Sequence, residues 1–131
     1  DELSEALRSV RDAPRIAVDV ERCKAVGGIG EDRVALIQFS VDDGPHWVVD
    51  TLVVDPRPLQ AVLDCPGRLV VLHSAHNDLY CLHHELGLHV GDFLDTRELA
   101  VAMGWEGLGL AALVRSAFCV ELDKTHQTSD W

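Results

Sequence analysis

The sequence predicts a single mixed α/β domain, a sheet with helices on its faces, and three observations carry that prediction. Three β-branched, apolar segments follow one another early in the chain, separated by turn-forming residues. Beyond Pro56 and Pro58, short apolar runs alternate with segments of helical spacing. The length of 131 residues, 47% of them hydrophobic, suits one compact core and argues against disorder.

In chain order, Leu3, Ala6, Leu7 and Val10 recur at helical spacing and predict an amphipathic helix over Glu2–Arg11, broken by Pro14. Arg15–Glu21, Arg33–Phe39 and His46–Asp50 read as strands. A loop at Gly27–Gly30 and the turn Asp42-Asp43-Gly44-Pro45 join them into an antiparallel meander. Leu59–Leu63 is a short helix and Arg68–His73 a fourth strand. Asn77–Leu86 is a helix stopped by Gly87, and Phe93–Asp95 a short fifth strand. Thr96 caps a helix over Arg97–Met103, and Leu108–Phe118 forms the last one.

Composition restricts function. The formal net charge is −11, from 11 Lys+Arg against 22 Asp+Glu, so the chain as a whole lacks the basic footprint of a nucleic-acid binder. Six of the eleven basic residues lie within the first 33 positions, which leaves room for a local basic patch. The 4 cysteines are scattered without a CxxC or knottin-like spacing, as expected for free thiols in a reducing cytoplasm and not for a disulfide scaffold. No apolar run is long enough to span a bilayer as a helix, and no membrane partner is expected.

Chemistry concentrates at a few acids. In Ile16-Ala-Val-Asp-Val-Glu21 strand alternation puts Asp19 and Glu21 on one face, with Val18 and Val20 on the other. Two carboxylates on an apolar strand call for neutralisation, and a hard divalent cation, Mg2+ or Mn2+, fits their oxygen ligands. The plainer alternative is a strand end that has reached solvent. Asp78 follows the fourth strand at the start of a helix, a usual place for a functional residue and equally one favoured by the helix dipole. If the fourth strand lies beside the first, the three carboxylates converge, a geometry suited to two-metal chemistry at phosphorus.

These segments resemble the ribonuclease D-like 3′→5′ exonucleases of the DEDD (DnaQ-like) superfamily. Ile16-Ala-Val-Asp-Val-Glu21 resembles the first exonuclease motif, with Val20 where Thr is usual. Val34-Ala-Leu-Ile-Gln38 and Trp47-Val-Val-Asp50 resemble the next two strands, and Leu72-His-Ser-Ala-His-Asn-Asp78 the second motif. Phe93-Leu-Asp-Thr96 and Gly109-Leu-Ala-Ala-Leu113 resemble the segments that follow. Leu122-Asp-Lys-Thr-His-Gln-Thr-Ser-Asp-Trp131 is similar to the DK-x-x-Q-x-SDW signature of the ribonuclease D branch.

The resemblance implies a ribonuclease H-like five-stranded mixed sheet flanked by helices. It also implies metal-dependent removal of nucleotides from single-stranded 3′ ends, RNA in preference to DNA, in the cytoplasm. Asp19, Glu21 and Asp78 are then three of the four family acids, holding two divalent ions, Mg2+ or Mn2+. Arg22, His76 and Asn77 are the candidate substrate contacts. The resemblance stops at Trp131, before the family's Tyr-x-x-x-Asp motif helix, so residues 1–131 are expected to be weak or inactive as a nuclease. The alternative is a non-catalytic nucleic-acid- or protein-binding module on the same fold. The histidines His73, His76, His83, His84 and His89 with Cys81 match no standard zinc spacing, and Asp95 is read as a structural acceptor for a helix N-terminus.

Overall fold

A computed structural model describes residues 2–24 and 32–125. Five strands make one sheet in the order β3-β2-β1-β4-β5. They are β1 (Arg15–Cys23), β2 (Arg33–Ser40), β3 (His46–Asp50), β4 (Leu69–Leu72) and β5 (Phe93–Asp95). The first three form the expected antiparallel meander, and β4 and β5 add in parallel on the far side of β1. The helices are α1 (Glu2–Ser9), α2 (Gln60–Leu63), α3 (His76–His84), α4 (Thr96–Ala102) and α5 (Leu110–Phe118), with a 3-10 turn over Arg57–Leu59 leading into α2. The Gly27–Gly30 loop and the Gln127–Trp131 end of the signature lie outside the described residues. Among the described residues no helix is long and apolar enough to cross a membrane.

Strand alternation builds the core. Ile16, Val18 and Val20 of β1 are buried with Ile37 and Phe39 of β2 and with Val70 and Leu72 of β4. Ala6 and Val10 from the first helical segment pack on the same core, as do Leu59, Val62 and Leu63 around α2 and Cys81 and Leu82 of α3. Asp19 is exposed beside Ala17, and Gln38 and Ser40 are half-buried. These side chains, with Val48, Val71, His73, Thr96 and Leu110, line an open trough of about 450 Å³.

Local signals set the element ends. Gly87 stops the α3 turn with φ +67°; its N–H donates to His83 O at 3.1 Å and that of Leu88 to Leu82 O at 2.8 Å. The four-residue bond from Gly87 is the left-handed (αL) closure expected of a C-terminal glycine. The first helix is shorter than its periodicity predicts, ending at Ser9 instead of Arg11. The carbonyls of Val10, Arg11 and Ala13 turn instead to the guanidinium of Arg68, at 2.8, 2.5 and 3.0 Å, and that of Val62 lies 3.2 Å from the same group. Arg68 is 5% exposed, a buried cation whose charge is met by carbonyl dipoles.

The α4 cap also differs from the sequence expectation. Asp95, not Thr96, is the N-cap, and its Oδ1 accepts from the Arg97 N–H at 2.9 Å. Thr96 is already in the helix, and its hydroxyl donates to Leu72 O at 3.1 Å. The structural reading of Asp95 therefore holds, and it extends further: the same carboxylate accepts from Ser74 N and Ala75 N at 2.9 and 2.8 Å. One side chain thus caps α4 and the approach to α3. Burial alone pushes the Asp95 carboxyl up, but the N–H groups of Ala75, Arg97, Ser74 and Glu98 outweigh it and hold it below its ordinary value.

Asp95→Ala is expected to lower unfolding free energy by about 2–3 kcal/mol at neutral pH. Because the folded carboxyl is the stronger acid, its contribution is present above the ordinary carboxylate range and is lost as pH falls through the folded value. The deficit should therefore shrink in urea melts at acid pH; a deficit unchanged by acidification would remove the charged cap as its cause.

Candidate active site

The β1–β4 register runs from Arg15↔Leu69 to Ala17↔Val71. Asp19 and Glu21 lie beyond the last of these pairs, still laddered to β2 through Gln38 and Leu36. They sit near the carboxyl ends of β1 and β4, where antiparallel and parallel pairing meet. Open α/β sheets commonly place ligands at such a switch point.

The chain reaches Asp78 through a sharp turn. β4 ends at Leu72, Ser74 takes φ +57°, and α3 begins at His76 with its entry held by the Asp95 carboxylate. Asp78 is in the first turn of α3 and only 7% exposed. Its carboxyl is raised from 3.8 to about 7, first by burial and then by the negative charges of Asp19, Glu21 and Asp95. Asp19 is raised in the same direction by burial, partly offset by the Val20 N–H and the charge of His73. The three sequence-predicted acids are therefore electrostatically joined, and Asp19 and Glu21 both oppose ionisation of Asp78.

The neighbours of these acids were only partly evident from sequence. His73 lines the trough with Asp19, and its Nδ1 lies 2.9 Å from Thr96 Oγ1. The Thr96 hydroxyl proton is directed to Leu72 O, so His73 Nδ1 carries the hydrogen of this contact. His76 and Asn77 are exposed in the first turn of α3, beside Asp78. Arg22 is committed within the fold: Nη1 bonds Glu85 Oε1 and lies 2.9 Å from Cys81 Sγ, while Nη2 donates to Asp32 O at 2.5 Å.

An all-carboxylate donor set under mutual repulsion is chemically matched to a hard divalent cation, which would offset the burial and negative charge that raise the Asp78 carboxyl. Among the described residues, no three His, Cys, Asp or Glu side chains are gathered closely enough to enclose an ion by themselves.

A five-stranded mixed sheet with flanking helices, with carboxylates of β1 and α3 near its switch point, is an open α/β domain. The chain belongs to the 3′-5′ exonuclease family, whose model matches residues 1–131. It is 33% identical over 133 residues to the exosome complex component 10 homolog of Drosophila melanogaster, covering 100% of this chain and 14% of that protein. The crystal structure of the catalytic core of RRP6 from Trypanosoma brucei superposes with a TM-score of 0.88 at 25% identity, covering 99% of this chain and 36% of that one. Ribonuclease D of Escherichia coli superposes with a TM-score of 0.82 at 29% identity, covering 98% of this chain and 34% of that one. The fold expected from the sequence is thus the fold of ribonuclease D and RRP6 domains. The chain spans about a third or less of the length of these relatives.

Proposed function

We propose that residues 1–131 are the acid-bearing part of a 3′-5′ exoribonuclease that trims single-stranded RNA 3′ ends with two divalent ions, Mg2+ or Mn2+. The observation that carries this reading is the placement of Asp19 and Glu21 on β1 and of buried Asp78 in the first turn of α3, at the switch point of the sheet. Family membership supports it, and the Escherichia coli relative is described as an exoribonuclease involved in structured RNA processing. The 4 cysteines are free and fit a reducing, cytoplasmic setting.

In this reading Asp19, Glu21 and Asp78 are the cation ligands. Bound cations supply Lewis acidity and neutralise phosphate charge at the scissile bond. The chain's own residues do the rest. Burial and the neighbouring carboxylates raise the Asp78 carboxyl to about 7 in the metal-free chain, and a bound cation would favour its ionised form. His73 lines the trough, and His76 and Asn77 offer exposed polar side chains to the sugar-phosphate backbone. The open trough of about 450 Å³ receives the terminal nucleotides over the face of β1 and β2.

A second reading, a non-catalytic nucleic-acid-binding module, keeps the trough and drops the ions. It is favoured by side-chain spacing: among the described residues, no three His, Cys, Asp or Glu side chains lie close enough to enclose an ion by themselves. Calorimetric Mn2+ titration separates the two, followed by binding of single-stranded RNA with a free 3′ hydroxyl. The metal reading expects Mn2+ uptake that Asp19→Ala abolishes, and RNA binding that tightens with Mn2+ in the parent alone. RNA binding indifferent to both Mn2+ and Asp19→Ala would establish the second reading instead.

A further inference from the structure

We propose that Arg22 and Glu85 form a positioning strut that holds Asp78, on α3, at its working distance from Asp19 and Glu21, on β1. What the strut serves rests on the metal reading above; the strut itself rests on geometry. The β1–β2 ladder slips between Glu21 and Arg22: Glu21 pairs with Leu36, Arg22 with Val34, and Ala35 is the extra residue. A bulge of this kind locally breaks the ladder and bends the strand.

Here α3 takes up the break. The Val34 N–H donates to Glu85 Oε2 at 3.0 Å, so a side chain 51 residues later supplies the acceptor. The other oxygen of Glu85, Oε1, receives Arg22 Nη1. The same Nη1 lies 2.9 Å from Cys81 Sγ, and Nη2 donates to the carbonyl of Asp32 at 2.5 Å. One guanidinium and one carboxylate thereby connect the end of β1, the start of β2 and the last turn of α3.

The placement of the strut relative to the acids gives it its role. Asp78, Cys81 and Glu85 are spaced three and four residues apart, so they follow one face of α3 and its C-cap. Two of them engage Arg22, and Asp78 is carried by the turn above. On β1, Glu21 immediately precedes the slipped position and Arg22 immediately follows it. Rotation or sliding of α3 against β1 would change the spacing between Asp78 and the β1 acids. Metal sites tolerate only about 0.5 Å of such misplacement. The pair's side chains are 30% and 24% exposed, and both Glu85 oxygens are engaged, which sets it apart from a mobile surface ion pair.

This assigns Arg22 a different task from the phosphate contact expected from sequence, and three measurements distinguish them. Arg22→Met, Glu85→Gln and the double variant are compared with the parent by Val34 amide hydrogen exchange, by Mn2+ calorimetry, and by single-stranded RNA binding in chelator. The strut expects each single variant to speed Val34 exchange and to weaken Mn2+ binding by about tenfold. The double variant should be no worse than the poorer single one, because the two residues act as a unit. RNA binding in chelator should not change, and Arg22→Lys should restore little, since it lacks the planar fork. Unchanged Val34 exchange overturns the strut, as does unchanged Mn2+ affinity in a parent that binds the ion. Loss of RNA binding in chelator for Arg22→Met but not for Glu85→Gln returns Arg22 to phosphate. A parent that takes up no Mn2+ refutes the metal reading, and Val34 exchange then decides the strut by itself.

Discussion

Arg68→Met is expected to lower the unfolding free energy by about 3–5 kcal/mol, the largest stability loss of any single change outside the apolar core. The 5%-exposed guanidinium donates to four backbone carbonyls, those of Val10, Arg11, Ala13 and Val62. Methionine matches the stem but offers no hydrogen, so those oxygens lose the guanidinium at the junction of the first helix, β1 and α2. Among the described residues only Val10 O keeps a second donor, the Ala13 N–H at 3.2 Å. Each unsatisfied buried acceptor costs about 1–3 kcal/mol, and partial access of water keeps the total below their sum. Arg68→Lys should recover less than half, because an ammonium cannot span four carbonyls as a planar fork does. Urea denaturation reads the effect as a lower midpoint at unchanged slope. A loss below about 1 kcal/mol would mean that water satisfies these carbonyls equally well.

The contrast between Arg68 and Asp19 shows what could be read from the residues alone. Asp19 and Glu21 declare themselves because the alternation of Ile16, Val18 and Val20 fixes which face each residue takes, and a carboxylate pair stands out on that face. Asp78 is recognisable from its place after an apolar run, although its coupling to Asp19 depends on β4 lying parallel to β1. Arg68 carries no comparable sign: it opens an apolar run, and its acceptors lie as many as 58 residues away. Arg22 failed to declare its partners for a related reason. Its contact with Glu85 spans 63 residues and depends on a one-residue slip that hydrophobic alternation does not reveal. Asp95 was within reach, since an Asp before a helical run is an N-cap signal as good as the Thr beside it. Its second duty, on Ser74 and Ala75, needed the parallel pairing of β4 with β5 to bring it there.

Asp78→Asn should stabilise the metal-free chain at pH 8 while abolishing Mn2+ binding. The folded Asp78 carboxyl lies at about 7 against an ordinary 3.8, so between these values the folded state holds a proton that the unfolded state has released. Stability of the metal-free chain therefore falls as pH rises through that window and levels off above it. Asp19, also raised by burial, contributes in the same direction. Asparagine is neutral throughout, so the variant should match the parent below the ordinary 3.8 and exceed it at pH 8 by about 1–2 kcal/mol after solvent screening. Mn2+ reverses the order. It competes with the proton on Asp78, so parent affinity should rise with pH up to about 7 and then level off, and saturating Mn2+ should raise the parent's melting temperature but not the variant's. A variant no more stable than the parent at pH 8 would show that the buried carboxylate is already neutralised inside the fold. The electrostatic case for a cation at Asp19, Glu21 and Asp78 would then fail. The opposite result would mark a site that gives up stability for function, with its strain relieved only when positive charge enters.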